Sequence, residues 1–191
     1  ESYYASFEDN KYGVINSKGE NVIEPSYQEL ITIPNKNKDV FLCVYDVDYT
    51  NNTYKTKALN SKNEEIYSQY ENIEAIENYD TNNNVSYNSN VLKVQKNNKY
   101  GFFDQNGKNI IPIEYDDVVY FDDFVDMTYQ DYLFGVKKND KWGYVNSDNK
   151  TIIPFQYSDI KRNYSWKIAR LFEVTEDGTN YFYIDLNSRK Y

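Results

Sequence analysis

The sequence predicts an all-β protein in which tandem repeats of about 42 residues, each a three-stranded antiparallel meander, stack in an open curved array. Three observations predict this class. The phrase KWGYVNSDNKTIIPFQY at residues 141–157 matches KYGFFDQNGKNIIPIEY at residues 99–115. One turn position is always Gly or Asn. The segment after that turn alternates apolar and polar residues with the period of a β-strand.

The repeats are located by their opening residues. Clear copies begin at Lys11, Lys99 and Lys141. The first two lie about two repeat lengths apart, which predicts a divergent copy between them at residues 55–73. A partial fifth copy covers residues 180–189. We therefore expect one repeat array, with units at about 1–39, 40–90, 91–131, 132–167 and 168–191, and we expect the chain to be a fragment of a longer protein.

Each unit is predicted to contain two tight turns. Polar pairs such as Asp9–Asn10 and Asn139–Asp140 close the first turn, because two-residue hairpins require positive φ. The second turn needs one residue in the left-handed region, which Gly and Asn adopt at little cost. The residues at that position are Gly19, Asn63, Gly107 and Asn149.

The third strand of each unit is predicted to bury alternate residues and to end on a tyrosine. These tyrosines are Tyr27, Tyr70, Tyr115 and Tyr157. Pro112 and Pro154 lie on the opposite parity, which predicts an edge or a bulge. The second strand has apolar residues on both faces, so we expect it to be covered by its own unit and by a neighbour. Its glycine is expected to let a ring or backbone from the neighbouring unit approach closely.

The aromatic–glycine pair that opens the second strand resembles the signature of the WG-repeat family. The pairs here are Tyr12–Gly13, Tyr100–Gly101 and Trp142–Gly143, and the turn with Gly or Asn and the Ile-Ile-Pro step extend the resemblance. Thr56–Lys57 replaces the pair in the second copy, and Phe182 replaces the glycine in the fifth. The resemblance implies a β-rich repeat module, common in bacterial proteins and often joined to other domains. It supplies no catalytic residue.

A closed, propeller-like ring is the alternative topology, because propeller blades have a similar period. A propeller usually completes its last blade with a strand from the other terminus. In this interpretation the chain opens on a first strand near residues 3–7 and ends after a second strand, so no complementary strand is evident. The open array is therefore favoured.

Composition argues against several classes of function. The chain has no His, which removes Ser-His-Asp and Cys-His catalysis and imidazole metal sites. Its net charge of -9 would repel nucleic-acid phosphate, and no apolar run is long enough to span a bilayer. We expect no enzymatic activity, no cofactor and no metal, and we interpret the lone Cys43 as a buried thiol.

Binding residues are expected in the segments that follow the third strand, because these differ most between units. They are residues 31–39, 74–90, 119–131 and 161–167. Aromatic rings beside acids suit anchoring to a basic protein surface or stacking on a sugar, and the open alternative is that the rings fold back onto their own unit. The candidate residues are Tyr79, Tyr87, Tyr120, Phe121, Asp122, Asp123, Phe124 and Tyr129.

The expected function is a non-catalytic binding or scaffolding module that presents rim loops to a protein partner. A carbohydrate- or cell-wall-binding module is the first alternative. The second alternative is an accessory domain of an enzyme that lies outside this chain. The abundance of Asn, Lys, Ile and Tyr indicates a bacterial source, and an extracellular or cell-surface location is expected over a cytoplasmic one.

Overall fold

A computed structural model of the chain describes residues 2–33, 39–79, 82, 84–104, 108–120, 133–161 and 170–191. These residues form β-strands and turns, with no helix among them. The chain divides into two compact units, each larger than one predicted repeat. The first unit consists of Glu1–Glu77 and Tyr87–Asn97, and the second consists of Asn78–Ser86 and Asn98–Tyr191. The sheets in the described part are small and antiparallel, and none of them closes into a barrel. The predicted all-β class is therefore confirmed.

The first unit contains two complete sheets. The first sheet has the strand order β1-β2-β3 and the second has the order β4-β5-β6-β7. β8 and β9 also lie mostly in this unit. The strands are β1 (Tyr3–Glu8), β2 (Lys11–Asn16), β3 (Asn21–Tyr27), β4 (Glu29–Ile33), β5 (Val40–Asp48), β6 (Thr53–Leu59), β7 (Glu65–Ile66), β8 (Asn72–Tyr79) and β9 (Val85–Lys96).

The second unit begins with an antiparallel hairpin and continues with two complete sheets. Their strand orders are β12-β13-β14-β15 and β16-β17-β18. The strands are β10 (Lys99–Asp104), β11 (Asn109–Tyr115), β12 (Asp117–Tyr120), β13 (Leu133–Lys138), β14 (Lys141–Asn146), β15 (Thr151–Tyr157), β16 (Asp159–Lys161), β17 (Phe172–Thr175) and β18 (Tyr181–Ile184).

Short strands that the sequence did not predict join the meanders. β4, β12 and β16 each begin two residues after the tyrosine that ends the preceding third strand. Each pairs with the first long strand of the next meander, so the predicted meander gains a strand at that edge. Parts of the segments predicted to be variable loops, residues 31–33, 74–79, 85–90, 119–120 and 161, are strand instead.

One residue immediately precedes each of the strands β4, β8, β12 and β16, and in the first, third and fourth copies it alone connects the third strand to that strand. Its backbone N–H donates to a carbonyl in the next long strand, and this bond recurs with lengths of 2.8–3.0 Å. The four pairs are Gln28 to Val44, Glu71 to Gln95, Asp116 to Lys137 and Ser158 to Thr175. These junctions are therefore fixed by the same backbone bond in all four places.

The tight hairpin turns form where the polar pairs predicted them. Both residues have positive φ at Asp9–Asn10, Asn97–Asn98 and Asn139–Asp140, the conformation that a two-residue hairpin with right-handed twist requires. The turn at residues 176–179 is longer, and Gly178 has a φ of 80° there. The prediction of hairpins at these positions is confirmed.

The second turn begins on an Asn or Asp in every copy, and the same hydrogen bond to its side chain recurs. The side-chain oxygen of the first turn residue accepts hydrogen bonds from backbone N–H groups that lie two or four residues later in the chain. These first residues are Asn16, Asn60, Asp104, Asn146 and Asp185. Gly19, Asn63 and Asn149 have positive φ as predicted, whereas Gly107 lies outside the described residues. Ser188, with a φ of 61°, occupies this position in the fifth copy, which the sequence reading missed.

The signature glycine allows a bulge of the third strand to pass close to the second. In the first sheet Tyr12 pairs with Tyr27 and Val14 with Ile23, so three residues of β3 lie opposite Gly13. A Cβ built on Gly13 would lie only 2.4 Å from the carbonyl oxygen of Ile23. The expectation that a neighbouring unit approaches this glycine is wrong, because the close backbone belongs to the same meander. The bulge predicted from the off-parity proline is confirmed at Pro112 and Pro154.

The second copy lacks both the glycine and the bulge. Its third strand, β7, has only two residues, and the pairing with β6 ends at Ala58 opposite Ile66. No bulge passes over Lys57, so a side chain is tolerated there. The Lys57 ammonium lies 5.2 Å from the ring centre of Tyr27 and 5.0 Å from that of Tyr45.

Neighbouring sheets share their apolar cores within each unit. In the first unit, Val14 and Ile23 of the first sheet cluster with Leu30, Phe41 and Cys43 of the second. Cys43 is buried as predicted, and burial raises the pKa of its thiol to about 12. In the second unit the rings of Phe102 and Phe134 lie 5.5 Å apart, those of Tyr144 and Phe172 4.3 Å apart. The prediction that consecutive repeats shield one another's aromatic strands is confirmed for these pairs.

Asp177 is expected to make stability depend on pH, because its carboxylate is held by several donors. It accepts backbone N–H groups of Asn180 at 2.7 Å and Thr179 at 2.8 Å, and these bonds hold its pKa well below the usual range. Because the folded-state pKa is depressed, this contribution is present above the unfolded pKa near about 4 and is lost as the pH falls below it.

We therefore expect Asp177→Asn to lower the urea midpoint at pH 7, and the difference from the unsubstituted chain to shrink when the pH is lowered below about 4. Asp140→Asn is the matched control, because the Asp140 side chain is 98% exposed in another hairpin turn. Urea unfolding at a series of pH values measures both variants. A difference at pH 7 that does not shrink in acid would contradict the assignment.

Candidate functional site

Most of the predicted binding residues fall outside the part of the chain that the structure describes. Phe121, Asp122, Asp123, Phe124 and Tyr129 lie outside it altogether. The backbones of Tyr79 and Tyr120 end β8 and β12, but their side chains are outside the described part. Of the predicted set, Tyr87 is the residue whose side chain is described.

Tyr87 lies in β9, near two carboxylates of the same compact unit. Its side chain is half-buried, and burial raises the pKa of its hydroxyl above the ordinary value. The nearby carboxylates of Glu77 and Glu29 raise that pKa further. Partial burial leaves less of the Tyr87 ring available to a partner than full exposure would, and its role in binding stays a prediction.

A projecting hairpin that the sequence reading missed carries exposed aromatic and acidic groups. β5 has nine residues, whereas β1 and β13, at the same place in their meanders, have six. The pairing with β6 is regular up to Tyr45 opposite Lys55 and then shifts to Asp48 opposite Thr53. We call residues 45–55 the β5–β6 tip.

Hydrogen bonds hold the β5–β6 tip in one conformation. Asp48 accepts the backbone N–H groups of Thr50 at 3.0 Å and Asn51 at 3.2 Å on one carboxylate oxygen, and the Asn51 side-chain amide at 2.8 Å on the other. The Asn51 side chain lowers the pKa of Asp48 most strongly, and the backbone bonds lower it further. Asp46 and Asn52 have positive φ, which bends the strands at this point.

The β5–β6 tip exposes two tyrosines next to carboxylates. Tyr49 is 86% exposed, and Tyr54 is also exposed. The hydroxyl of Tyr54 donates to Glu74 at 3.1 Å, and Asp46 lies 3.3 Å from the ammonium of Lys55. Aromatic rings beside acids are the chemistry predicted for binding, but it appears on a hairpin between the first and second strands rather than after the third.

A sequence signal for the β5–β6 tip is present in the spacing of the second copy. The run VFLCVY at residues 40–45 and the run KTKAL at residues 55–59 are separated by nine residues, DVDYTNNTY, where other copies have a two-residue polar turn. The longer connection therefore marks this hairpin in the sequence as different from the others.

The described residues contain neither a cluster of metal-binding side chains nor a helix that could span a membrane. No group of three or more His, Cys, Asp or Glu side chains is arranged there to hold a metal ion. Among the same residues, no helix has the length and apolar character needed to cross a membrane. The exposed groups of the β5–β6 tip are therefore the candidate site.

Comparison with known proteins identifies the repeat. The family model of the WG containing repeat matches residues 12–37, 100–142 and 142–165. The matches open on Tyr12, Tyr100 and Trp142, the aromatic residues of the three signature pairs. The second and fifth copies, in which the pair is altered, lie outside the matched regions. No curated protein and no solved structure matches the chain.

Proposed function

Three regions of the chain match the WG containing repeat, and from this premise we propose that the chain is a non-catalytic binding or scaffolding module that presents surface loops to a basic protein partner. The repeated meanders supply a rigid support, and the connections between strands vary from one copy to the next. The lack of His in the sequence leaves the chain without the usual general base, which supports a binding role over a catalytic one.

The observation that carries the proposal is the exposure of Tyr49 on the β5–β6 tip. Tyrosines are enriched among residues that dominate binding energy, because a ring buries a large area and its hydroxyl forms a hydrogen bond. Tyr49 is 86% exposed in this structure, next to the exposed Tyr54. A ring held outward in this way is available to fill a pocket on a partner.

Charge favours a basic partner. The β5–β6 tip contains the carboxylates of Asp46 and Asp48, and Glu74 lies beside Tyr54. Lys55 offsets only part of this charge, and the whole chain has a net charge of -9. Acidic surfaces speed association with basic proteins, and the effect weakens with salt.

Pre-ordering of the β5–β6 tip supports binding as well. The hydrogen bonds from Thr50 and Asn51 to Asp48 restrict the turn before any partner arrives. Ordering a loop on binding costs about 0.5–1.5 kcal/mol for each side chain that is immobilised. A turn that is already ordered avoids part of that cost.

A carbohydrate or cell-wall ligand is the second candidate, and one contact favours it. Tyrosine rings stack on sugar faces while carboxylates accept sugar hydroxyls, and the Tyr54–Glu74 pair places both groups together. A role as an accessory domain of an enzyme outside this chain is the third candidate, and either kind of binding would serve it.

We expect the chain to bind members of an array of short Lys- and Arg-rich peptides, with affinity that falls as salt is added. Tyr49→Ala should weaken binding at least about tenfold, or about 1.4 kcal/mol, because the ring is the largest exposed group on the tip. Fluorescence anisotropy with the best peptide measures both effects.

Tyr183→Ala is the matched control, because Tyr183 is 40% exposed and lies outside the β5–β6 tip. It should leave peptide affinity unchanged. If the chain binds no peptide but binds a glycan array or peptidoglycan, and Tyr49→Ala abolishes that binding, then the ligand is a carbohydrate and not a protein. Equal loss in both variants would show that the tip is not the site.

A further inference from the structure

The turn residue Asn149 contacts the preceding meander through its side chain. Its oxygen Oδ1 accepts a hydrogen bond from the hydroxyl of Tyr115 at 2.5 Å, and its nitrogen Nδ2 donates to Oε1 of Glu114 at 3.2 Å. Glu114 and Tyr115 are the last two residues of β11, whereas Asn149 lies in the turn between β14 and β15. One amide of the fourth meander therefore binds two adjacent residues of the third.

The backbone of this turn does not by itself call for asparagine. Asn149 has a φ of 58°, and Gly19 occupies the same position in the first copy with a φ of 81°. A left-handed conformation strains a residue that has a Cβ, and glycine avoids that strain. Positive φ therefore permits asparagine at this position, but it does not explain why the fourth copy has a side chain there.

Burial of Tyr115 makes the partner of its hydroxyl matter for stability. The residue is 4% exposed, and burial raises the pKa of its hydroxyl above the ordinary value. A buried hydroxyl that loses its partner is costly, because the lost hydrogen bond is not replaced by water. The ring of Tyr115 also stacks on Phe155 of β15, with ring centres 6.3 Å apart and planes inclined by 18°. Packing and hydrogen bonding thus join β11 to the fourth meander at one place.

The corresponding tyrosines of two other copies have different partners. The ammonium of Lys57 lies 5.2 Å from the ring centre of Tyr27. The hydroxyl of Tyr157 accepts a hydrogen bond from the side-chain amide of Gln156, the residue before it, at 2.8 Å. The contact of an asparagine amide with the third-strand tyrosine is therefore a particular feature of the third and fourth copies.

We propose that this contact, which we call the amide clasp, selects the meander that packs after the third one. The Asn149 amide offers an acceptor to the Tyr115 hydroxyl and a donor to the Glu114 carboxylate, which accepts only. In a repeat array each unit contacts only its neighbours, so contacts of this kind decide which units fit side by side. The surface formed by Glu114 and Tyr115 fits a meander with asparagine at its second turn, and the clasp lies within the second compact unit.

The second copy supplies a matched control, because it has the same turn without the clasp. Asn63 has a φ of 60° and is exposed. Its side chain forms no hydrogen bond with any residue that the structure describes. If positive φ were the only requirement at this position, glycine would have the same effect in both copies.

Urea unfolding of the 191-residue chain at pH 7 tests the clasp. We expect Asn149→Gly to raise the equilibrium constant for unfolding at least about tenfold, because Tyr115 and Glu114 both lose a partner. Asn63→Gly should change that constant by less than about threefold. Tyr115→Phe should have little further effect once Asn149 is glycine, because the hydrogen bond is already gone.

A reversal of donor and acceptor tests the contact more directly. Asn149→Asp places a second carboxylate beside Glu114 and should raise the unfolding constant at least about tenfold at pH 7. Adding Glu114→Gln should bring it back to within about threefold of the unsubstituted chain, because the new amide donates to the new carboxylate. Peptide binding that depends on Tyr49 should stay unchanged in all these variants, since the β5–β6 tip belongs to the first unit.

The proposal is overturned by any of three results. Equal effects of glycine at positions 149 and 63 would reduce Asn149 to a turn residue. Additive effects of Asn149→Gly and Tyr115→Phe would show that the two side chains do not act together. Failure of Glu114→Gln to restore the Asn149→Asp variant would show that the matching of donor and acceptor is not what joins the two meanders.

Discussion

Phe134→Ala is expected to lower the free energy of unfolding by about 3–5 kcal/mol, the range for removal of a buried phenylalanine ring. Phe134 is fully buried in β13, and its ring lies 5.5 Å from that of Phe102 in the preceding meander. The substitution leaves a cavity between two sheets that depend on each other for cover. Urea unfolding followed by tryptophan fluorescence measures the loss.

Tyr4→Ala is the matched control for this prediction. Tyr4 faces Ile15 as Phe134 faces Val145, so the two residues hold the same place in their meanders. Tyr4 is 54% exposed, so its substitution should change stability by less than about 0.5 kcal/mol. A double-mutant cycle of Phe134→Ala with Phe102→Ala should give a coupling of about 0.5–3 kcal/mol. Equal losses for Phe134→Ala and Tyr4→Ala would contradict the shared core.

Gly143→Ala is expected to cost about 3 kcal/mol although it adds only a methyl group. The added Cβ would lie 2.6 Å from the carbonyl oxygen of Ile153 and 3.1 Å from the backbone nitrogen of Phe155. These atoms belong to backbone that is fixed in the bulge of β15, so the strand itself would have to move. Thermal and urea unfolding measure the change.

Lys57→Ala provides the comparison at the same repeat position. No bulge passes over Lys57, so the substitution removes only the contacts of its ammonium with Tyr27 and Tyr45. We expect a loss of less than about 1 kcal/mol. If Gly143→Ala were as mild as Lys57→Ala, the bulge would not be the reason for the glycine.

The turns were predictable from sequence because positive φ restricts the residue type. Asn139, Asp140 and Asn149 lie at positions whose left-handed backbone conformation only a few residue types adopt at low cost, and all three have positive φ in the structure. Ser188 was missed because serine is not a usual choice for that conformation. The four turns whose residues the structure describes in full nevertheless share a positive φ three residues after the capping Asn or Asp, a spacing that is visible in the sequence.

The short strands and the source of the close contact at the glycine were not predictable. β16 has three residues, too few for an alternating pattern to be recognised, and a single residue separates it from β15. The glycine at position 143 shows that some atom comes close, but sequence alone does not say which. The register between β14 and β15 was needed to assign it to Ile153.

The candidate site on the β5–β6 tip has the chemistry that was predicted for binding, but it lies in another part of the chain than the predicted residues. Aromatic rings beside acids were expected after the third strand, and the described example, Tyr87, is half-buried. The exposed example, Tyr49, lies on a hairpin whose extra length is visible in the sequence. Whether a ring points outward depends on the packing of the unit, which no local pattern reports.

The junctions have a consequence for anyone who would shorten, extend or recombine such arrays. Because Asp116 carries the chain from β11 into β12, and β12 pairs with β13, a cut made at the signature Lys-aromatic-Gly divides a sheet between two pieces. A cut at the single connecting residue keeps every sheet whole. Modules exchanged between proteins at residues equivalent to 28, 116 and 158 should therefore fold and remain soluble. Modules exchanged at the signature should aggregate, because each piece would then contain an incomplete sheet.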